Sequence, residues 1–208
     1  VFPVTTNANA ALKNERLEGF EAGIDFILPE GAEFSLTAFD NRVENAIANV
    51  TLNATTRERQ NLDAISAQGL EFTARLGGDG PLSFFGTLTY SDARMEGSGV
   101  QAALDGFRPP QTPEWSASAT LSYEPQDGMR FAATLRHVGD QFEADDETDL
   151  LPSATTLDLF AQVRFWRELS LVFRAENVFD ETIVTRNQGG SMDVGAPATF
   201  WGGLRWGY

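Results

Sequence analysis

The sequence predicts an all-β fold, an antiparallel transmembrane β-barrel fragment of about nine strands, and three observations support this. Apolar and polar residues alternate at every second position in nine separate segments of the 208-residue chain. Short turns and long polar loops follow one another in turn between these segments. The chain ends on the aromatic sequence TFWGGLRWGY, where a soluble protein would usually end on loose, polar residues.

The first predicted strand, 17–28, has the sequence LEGFEAGIDFIL. Phe20, Ile24 and Phe26 share one face, because successive side chains of a strand point to opposite faces. Glu21 and Asp25 share the other face. The same alternation predicts seven further strands: EFSLTAF at 33–39, GLEFTARL at 69–76, LSFFGTLTY at 82–90, EWSASATLSY at 114–123, MRFAATLRH at 129–137, TLDLFAQVRF at 156–165 and LSLVFRAEN at 169–177. TFWGGLRWGY is the ninth strand.

The connections between the predicted strands are of two kinds. Four are short and mostly contain turn residues: PEGA, GGDGP, EPQDG and FWRE. Four are long and polar: 40–68, 92–113, 139–155 and 178–197. This pattern is typical of an outer-membrane barrel with periplasmic turns and extracellular loops. A soluble β-sandwich also alternates strands and turns, but it rarely sorts its connections so cleanly by length.

The order of loops and turns also predicts an orientation. The last strand follows a long loop, so the chain ends on the periplasmic side, and counting back nine strands places residues 1–16 on the extracellular side. Barrels made from one bacterial chain generally have an even number of strands. We therefore expect residues 1–208 to be the C-terminal part of a larger barrel.

Composition excludes several functions. The net charge of −15 argues against nucleic acid as a partner, and zero Cys excludes thiol catalysis and Cys-based metal sites. The single histidine, His137, falls on the apolar face near an extracellular strand end, where we expect an interfacial side chain. No nucleophile or phosphate-binding motif is present, so we predict neither an enzyme nor a cofactor.

The loop 140–149, DQFEADDETD, has six carboxylates in ten positions. Clustered carboxylate oxygens can bind a divalent cation. The loop lacks the ligand spacing and turn glycine of an EF-hand. We therefore favour a solvated acidic loop over a metal site.

The two faces of the predicted strands differ in chemistry. One face would meet lipid: Phe20, Ile24, Phe26, Leu70, Phe72, Leu121, Leu157, Leu171, Phe173 and Leu204, with Trp115, Tyr123, Trp206 and Tyr208 at the headgroup level. Charges of both signs would be costly in a dry core, so the other face suits a wet lumen. Its lumen-facing candidates are Glu21, Asp25, Glu71, Arg75, Arg130, Arg136, Asp158, Arg164, Arg174, Glu176 and Arg205.

Several segments in the right order resemble the TonB-dependent outer-membrane receptors, active transporters of Gram-negative bacteria. These segments are NANAALKNERLEGFEAGIDF at 7–26, NLDAISAQGLEF at 61–72, FRPPQTPEWSASATLSY at 107–123, RHVGDQFEADDETDLLPSATTLDLFAQVRF at 136–165 and AENVFDETI at 175–183. In the first, five residues match the family pattern: Leu12, Lys13, Glu15, Glu21 and Gly23. Ala10, Ala11 and Asn14 depart from it.

The resemblance implies a 22-stranded barrel that is filled by an N-terminal plug domain, so the chain would contain about nine C-terminal strands. It implies uptake of a ferric siderophore, cobalamin, haem or carbohydrate, energised through the TonB complex, and a location in the outer membrane. The wall arginines would then contact plug carboxylates; the alternative is a solvated wall whose charges pair within strands and across neighbouring strands. Phe200, Leu204, Trp206 and Tyr208 resemble the C-terminal signal that the barrel-assembly machinery recognises. A passive porin-like channel and a soluble β-sandwich binding module remain the alternatives.

Overall fold

The computed structural model describes residues 5–29, 31–188 and 190–207. Almost all of the regular structure in this part of the chain is β. A six-residue 3-10 helix, Gly99–Leu104, is the one helical element there. The strands are β1 Thr5–Asn7, β2 Arg16–Leu28, β3 Ala32–Glu44, β4 Ile47–Asn53, β5 Thr56–Asn61, β6 Ala64–Leu76, β7 Leu82–Glu96, β8 Trp115–Tyr123, β9 Met129–Val138, β10 Gln141–Phe142, β11 Leu150–Leu151, β12 Ala154–Trp166, β13 Leu169–Glu176, β14 Val184–Gln188, β15 Ser191–Val194 and β16 Thr199–Trp206.

Nine of these strands form one antiparallel sheet in the order β16-β13-β12-β9-β8-β7-β6-β3-β2. Each strand pairs with the sheet strand that precedes or follows it along the chain, as in an up-and-down barrel wall. The predicted all-β antiparallel fold is therefore confirmed, and the nine predicted strands are the nine strands of this sheet. The barrel is not closed in this fragment, since β2 and β16 lie at opposite edges.

The short connections lie at one end of the sheet, and three of them lie wholly within the described residues: 77–81, 124–128 and 167–168. In the turn between β8 and β9, Gly128 has a φ of 80°, a conformation that glycine adopts without strain. A Cβ atom at Gly128 would also collide with the side chain of Arg164 on the neighbouring β12. The amide of Arg164 donates a hydrogen bond of 2.7 Å to the carbonyl oxygen of Gly128, which fixes the turn against β12.

The long connections contain more structure than the sequence predicts. Strands β4 and β5 form a hairpin, and β1 adds to β5 in parallel. Two further pairs, β10 with β11 and β14 with β15, lie in the next loops. Most of these strands are too short or too polar to show the apolar alternation on which the prediction rests. The exception is β4, IANVTLN, which alternates over residues 48–53 but lies in a stretch that we interpreted as a loop.

Three neighbouring sheet strands also extend at least five residues further into this region than predicted. β3 continues to Glu44 and β7 to Glu96, whereas the alternation ends at 39 and 90, and β6 begins at Ala64 and not at 69. Beyond these points the apolar face of the sheet turns polar, with Asp40, Arg42 and Arg94 replacing apolar side chains. Beyond these points β3 and β7 each remain hydrogen-bonded to β6. Backbone pairing, and not apolar alternation, therefore sustains the strands there.

The buried core lies among the loops and not beneath the sheet. Val50, Leu62, Met95 and Leu104 form this loop core, and Leu62 and Met95 are almost fully buried. By contrast, large apolar side chains on the sheet are exposed, and Phe20 exposes 83% of its surface. Apolar side chains exposed over a whole sheet face need an apolar environment outside the chain.

Among the described residues, no helical segment has the length and apolar character needed to cross a lipid bilayer.

Candidate functional site

The strand registers place all eleven lumen-facing candidates on one face of the sheet, which we call the inner face. Directly paired residues share a face, so the pairs Glu71 with Thr37 and Asp25 with Ser35 link the first strands. Equivalent pairs continue through Ser118 and Arg136 to the last strands. The full set on the inner face is Glu21, Asp25, Glu71, Arg75, Arg130, Arg136, Asp158, Arg164, Arg174, Glu176 and Arg205.

The opposite, outer face carries the predicted lipid-facing residues and forms an apolar band. On β7 the band spans nine residues from Leu82 to Tyr90, and the five of them on the outer face pair with apolar residues of β6 and β8: Leu82, Phe84, Gly86, Leu88 and Tyr90. Nine residues at about 3.3 Å each, tilted by roughly 40°, cover about 23 Å along the barrel axis. This height matches the apolar band of about 25 Å in outer-membrane barrels.

Aromatic side chains lie towards the ends of this band. Trp115 packs against Tyr90 with ring centroids 4.7 Å apart, and Tyr123 stacks on Phe131 with ring centroids 6.5 Å apart. His137 lies on the same outer face, paired with Ala117, and its Nδ1 atom is 2.8 Å from the hydroxyl of Thr155. These positions suit amphipathic side chains at the headgroup level.

The predicted C-terminal signal is partly described. Phe200, Leu204 and Trp206 lie on the outer face of β16, and each exposes more than half of its surface. Tyr208 lies outside the described residues. The role of these side chains in barrel assembly stays a prediction.

Some inner-face charges have partners on the wall itself. Arg136 forms an ion pair with Asp158, which also accepts a 2.9 Å hydrogen bond from the amide of Asn177. The guanidinium of Arg75 is 3.8 Å from the carboxylate of Glu33. Asp25 accepts a 2.5 Å hydrogen bond from the hydroxyl of Ser35. The sequence indicated the charges, but it did not indicate which of them pair, because pairing depends on strand register.

Other inner-face arginines have a partner in a turn or a partner without charge. Arg130 lies 3.3 Å from Glu124, a residue of the turn before β9. Arg205 donates a 3.4 Å hydrogen bond to the neutral amide of Gln162, and Arg174 lies over the ring of Phe160 at 5.9 Å. The inner face is therefore an exposed, polar wall on which several charges are available to an occupant of the lumen.

At the long-loop end, three loops pack together into a loop layer, which we define as residues 45–63, 97–114 and 139–153. Arg108 connects two of them: its amide donates a 2.8 Å hydrogen bond to Glu147, and its guanidinium lies 4.7 Å over the ring of Phe142. Gln101 donates a 2.8 Å hydrogen bond to Gln60. The sequence did not predict this layer, because its contacts join residues far apart in the chain.

The acidic loop 140–149 is bound into this layer by its carboxylates. Asp145 is 1% exposed, and it accepts hydrogen bonds from the amide of Thr51 at 2.9 Å and its hydroxyl at 2.7 Å. Asp140 accepts a 2.6 Å hydrogen bond from the amide of Ser153. We predicted a solvated loop, and for Asp145 this is wrong because the carboxylate is buried to satisfy the donors of Thr51. Within the described ranges no group of three or more acidic or histidine side chains is arranged to hold a metal ion.

An ion pair lies on the outer face beyond the apolar band, outside the membrane-spanning part of the strands, which ends at Tyr90 on β7. Arg42 forms a two-pronged contact with Glu96, to which Ser66 also donates a hydrogen bond. The hydrogen bonds from Arg42 and Ser66 hold the pKa of the Glu96 carboxyl below its usual value of 4.5. The hydrogen bond to Glu96 likewise raises the pKa of Arg42. Charged pairs of this kind mark where the strands leave the apolar layer.

The chain is similar to known receptors in fold and in sequence. It is 29% identical, over 147 residues, to a ferrioxamine receptor of Yersinia enterocolitica, an alignment that covers 71% of this chain and 20% of that receptor. The ferric yersiniabactin uptake receptor FyuA from Yersinia pestis matches with a TM-score of 0.75 and 16% identity, over 91% of this chain and 29% of FyuA. The ferric-catecholate import receptor Fiu from E. coli K12 matches with a TM-score of 0.70 and 21% identity, over 94% of this chain and 28% of Fiu.

The chain thus spans less than a third of the length of these relatives. At these identities the solved structures support the fold alone. The sequence model of the family described as "TonB dependent receptor-like, beta-barrel" matches residues 1–178, which is most of the chain. With its antiparallel wall, apolar outside and charged inside, the chain belongs to the family of TonB-dependent receptor β-barrels.

Proposed function

We propose that residues 1–208 are the C-terminal part of a longer, 22-stranded receptor barrel in the outer membrane of a Gram-negative bacterium. The observation that carries this proposal is the sheet itself, with an apolar band on the outer face and charges of both signs on the inner face. The apolar face of such a sheet can contact lipid, and its charged face can line a water-filled lumen. Its open edges at β2 and β16 would pair with further strands of the same receptor.

The receptor would be a transporter and not an enzyme. Its function would be the uptake of a scarce nutrient such as a ferric siderophore, cobalamin, haem or carbohydrate, energised through TonB. The ferrioxamine and ferric yersiniabactin receptors among its relatives support an iron chelate as the first substrate class to test. An N-terminal plug domain would fill the lumen and contact the inner face.

Uptake by the full-length receptor tests this proposal. The receptor is expressed in a Gram-negative host that lacks its own siderophore receptors, and radioactive iron is supplied as a panel of chelates that includes ferrioxamine. We expect uptake of at least one chelate, and we expect it to disappear when the host lacks TonB. Fractionation of the same cells should place the receptor in the outer membrane.

A passive porin-like channel would give a different result. Uptake would persist in the host without TonB and would rise in proportion to solute concentration. A soluble β-sandwich binding module would appear in the soluble fraction without detergent. Either outcome would contradict the proposed function.

A further inference from the structure

The segment that leads into β2, residues 5–15, lies along the edge of β5 that β4 does not occupy. β1 pairs with β5 in parallel, and the amide of Thr5 donates a 2.9 Å hydrogen bond to the carbonyl oxygen of Thr55. Almost every side chain of the segment is exposed, and only Asn9 and Leu12 are half-buried. Because so little apolar surface is buried, hydrogen bonds and not packing hold the segment on the hairpin.

Asn61 connects this segment to the hairpin through both backbone groups of Lys13. Its Oδ1 atom accepts a 2.8 Å hydrogen bond from the Lys13 amide, and its Nδ2 atom donates a 3.1 Å hydrogen bond to the Lys13 carbonyl oxygen. Nδ2 also donates a 2.6 Å hydrogen bond to the carbonyl oxygen of Asn45, just before β4. The oxygen and both N–H groups of the Asn61 amide are therefore engaged in joining the two elements.

Two further side chains attach the same segment. Oε1 of Glu15 accepts a 2.7 Å hydrogen bond from the amide of Ile47, the first residue of β4. Nδ2 of Asn9 donates a 3.0 Å hydrogen bond to the carbonyl oxygen of Arg59 on β5. The segment is therefore attached to the hairpin along its length, and not at one point.

The hairpin itself is firmly attached to the barrel wall. Leu62, which follows Asn61, is 2% exposed and belongs to the loop core together with Met95 of β7. Thr51 of β4 is hydrogen-bonded to the buried Asp145. The segment that Asn61 holds therefore has a fixed position relative to the wall.

These contacts join two of the segments that carry the family resemblance, since Lys13 and Glu15 belong to 7–26 and Asn61 begins 61–72. We infer that Asn61 and Glu15 are positioning residues of the receptor's entrance. They hold the extracellular loop that precedes β2 on the loop layer, so that the entrance is ordered before a substrate arrives. This role rests on the proposed function, which places these loops where substrate enters. An ordered entrance raises affinity because less conformational freedom is lost on binding.

Substrate binding and uptake by the full-length receptor test this role. The variants are Asn61→Ala, which removes three hydrogen bonds, and Glu15→Ala, which removes the bond to Ile47. The matched control is Asn53→Ala, because Asn53 bonds only to Thr55 among the described residues. The probe is the radioactive chelate of the uptake panel that the wild-type receptor takes up fastest. Its Kd is measured on cells without TonB, and its KM and maximal uptake rate on cells with TonB.

We expect Kd and KM to rise about tenfold in Asn61→Ala, with an unchanged maximal uptake rate. A rise of this size corresponds to an entrance that is ordered in about a tenth of the variant receptors. Glu15→Ala should show a smaller rise, whereas Glu15→Gln keeps an oxygen acceptor and should bind like the wild type. Hydrogen exchange in peptides covering residues 5–15 should speed up in both alanine variants and not in the control.

Heat-modifiable migration on a gel confirms that each barrel is folded, and the two Glu15 variants provide an independent test if Asn61→Ala does not fold. Faster exchange with unchanged Kd and KM would overturn the inferred role while the receptor proposal stands. A lower maximal uptake rate with unchanged KM would overturn it as well. If the wild-type receptor takes up no chelate in a TonB-dependent way, the proposed function itself fails.

Discussion

At the scale of single residues, the most constrained polar side chain is Asp145 in the loop layer. A buried carboxylate is costly unless hydrogen bonds compensate it. Thr51 provides two such bonds, from its amide and its hydroxyl, across 94 positions of sequence. Asp145 therefore links the β4–β5 hairpin to the acidic loop through hydrogen bonds. It is not one of several solvated surface charges.

We predict that Asp145→Ala loosens the loop layer and leaves the barrel intact. Removing the carboxylate leaves the donors of Thr51 buried without partners, a cost of about 1–3 kcal/mol. Hydrogen exchange measured by mass spectrometry on the full-length receptor should speed up in peptides covering residues 47–53 and 141–151. The control is Asp146→Ala, because Asp146 bonds only to nearby Thr148 among the described residues. Equal exchange in the two variants would contradict the prediction.

At the scale of elements, each sheet strand presents a different chemistry to each side. On β7, Leu88 lies on the outer face between Phe72 and Ala117, and its neighbour Thr87 lies on the inner face between Thr73 and Ser118. The two positions are at nearly the same depth in the apolar band. They differ in environment: a side chain at 88 contacts lipid, and a side chain at 87 contacts the water of the lumen.

We predict that Leu88→Arg impairs barrel formation and that Thr87→Arg does not. An arginine near the middle of the lipid face costs about 2–4 kcal/mol, whereas a lumen position keeps its water. The measurement is the heat-modifiable fraction of each full-length variant after refolding in detergent. Similar folded fractions for the two arginine variants would show that the faces have been assigned wrongly.

The elements that could be predicted from sequence are those with a repeated chemical pattern. All nine sheet strands alternate apolar and polar residues because each strand has two environments, so their faces could be assigned as well. Strand β5, TRERQN, has no apolar alternation, and its pairing with β4 and β1 follows from contacts that a single sequence does not display. For the same reason the burial of Asp145 and the ion pair between Arg136 and Asp158 could not be predicted.

At the scale of the whole molecule, the sheet has two unpaired edges, one on β2 and one on β16. In a bilayer, unpaired backbone groups at a sheet edge find no water, and each costs several kcal/mol. The apolar outer face excludes the same sheet from water, since residues such as Phe20 and Leu204 are largely exposed. The isolated sheet is therefore stable neither in a bilayer nor in water.

We predict that residues 1–208, produced alone, do not fold into a stable detergent-soluble barrel. After refolding in detergent they should migrate identically on gels with and without heating, and they should aggregate on dilution. The full-length receptor, treated in the same way, should show a heat-modifiable band. A monomeric, heat-modifiable form of residues 1–208 would contradict both this prediction and the need for further strands.

The strict alternation in the sheet has a consequence for how the barrel can change during evolution. Inserting or deleting one residue within a strand exchanges its two faces beyond that point, which places charges in lipid and aromatic rings in the lumen. Strand lengths can therefore change in steps of two, or by one near a strand end. The irregularity between Arg164 and Trp166 is of this second kind, because it lies where β12 meets the short turn to β13. We expect insertions and deletions of any other length to lie in the loops.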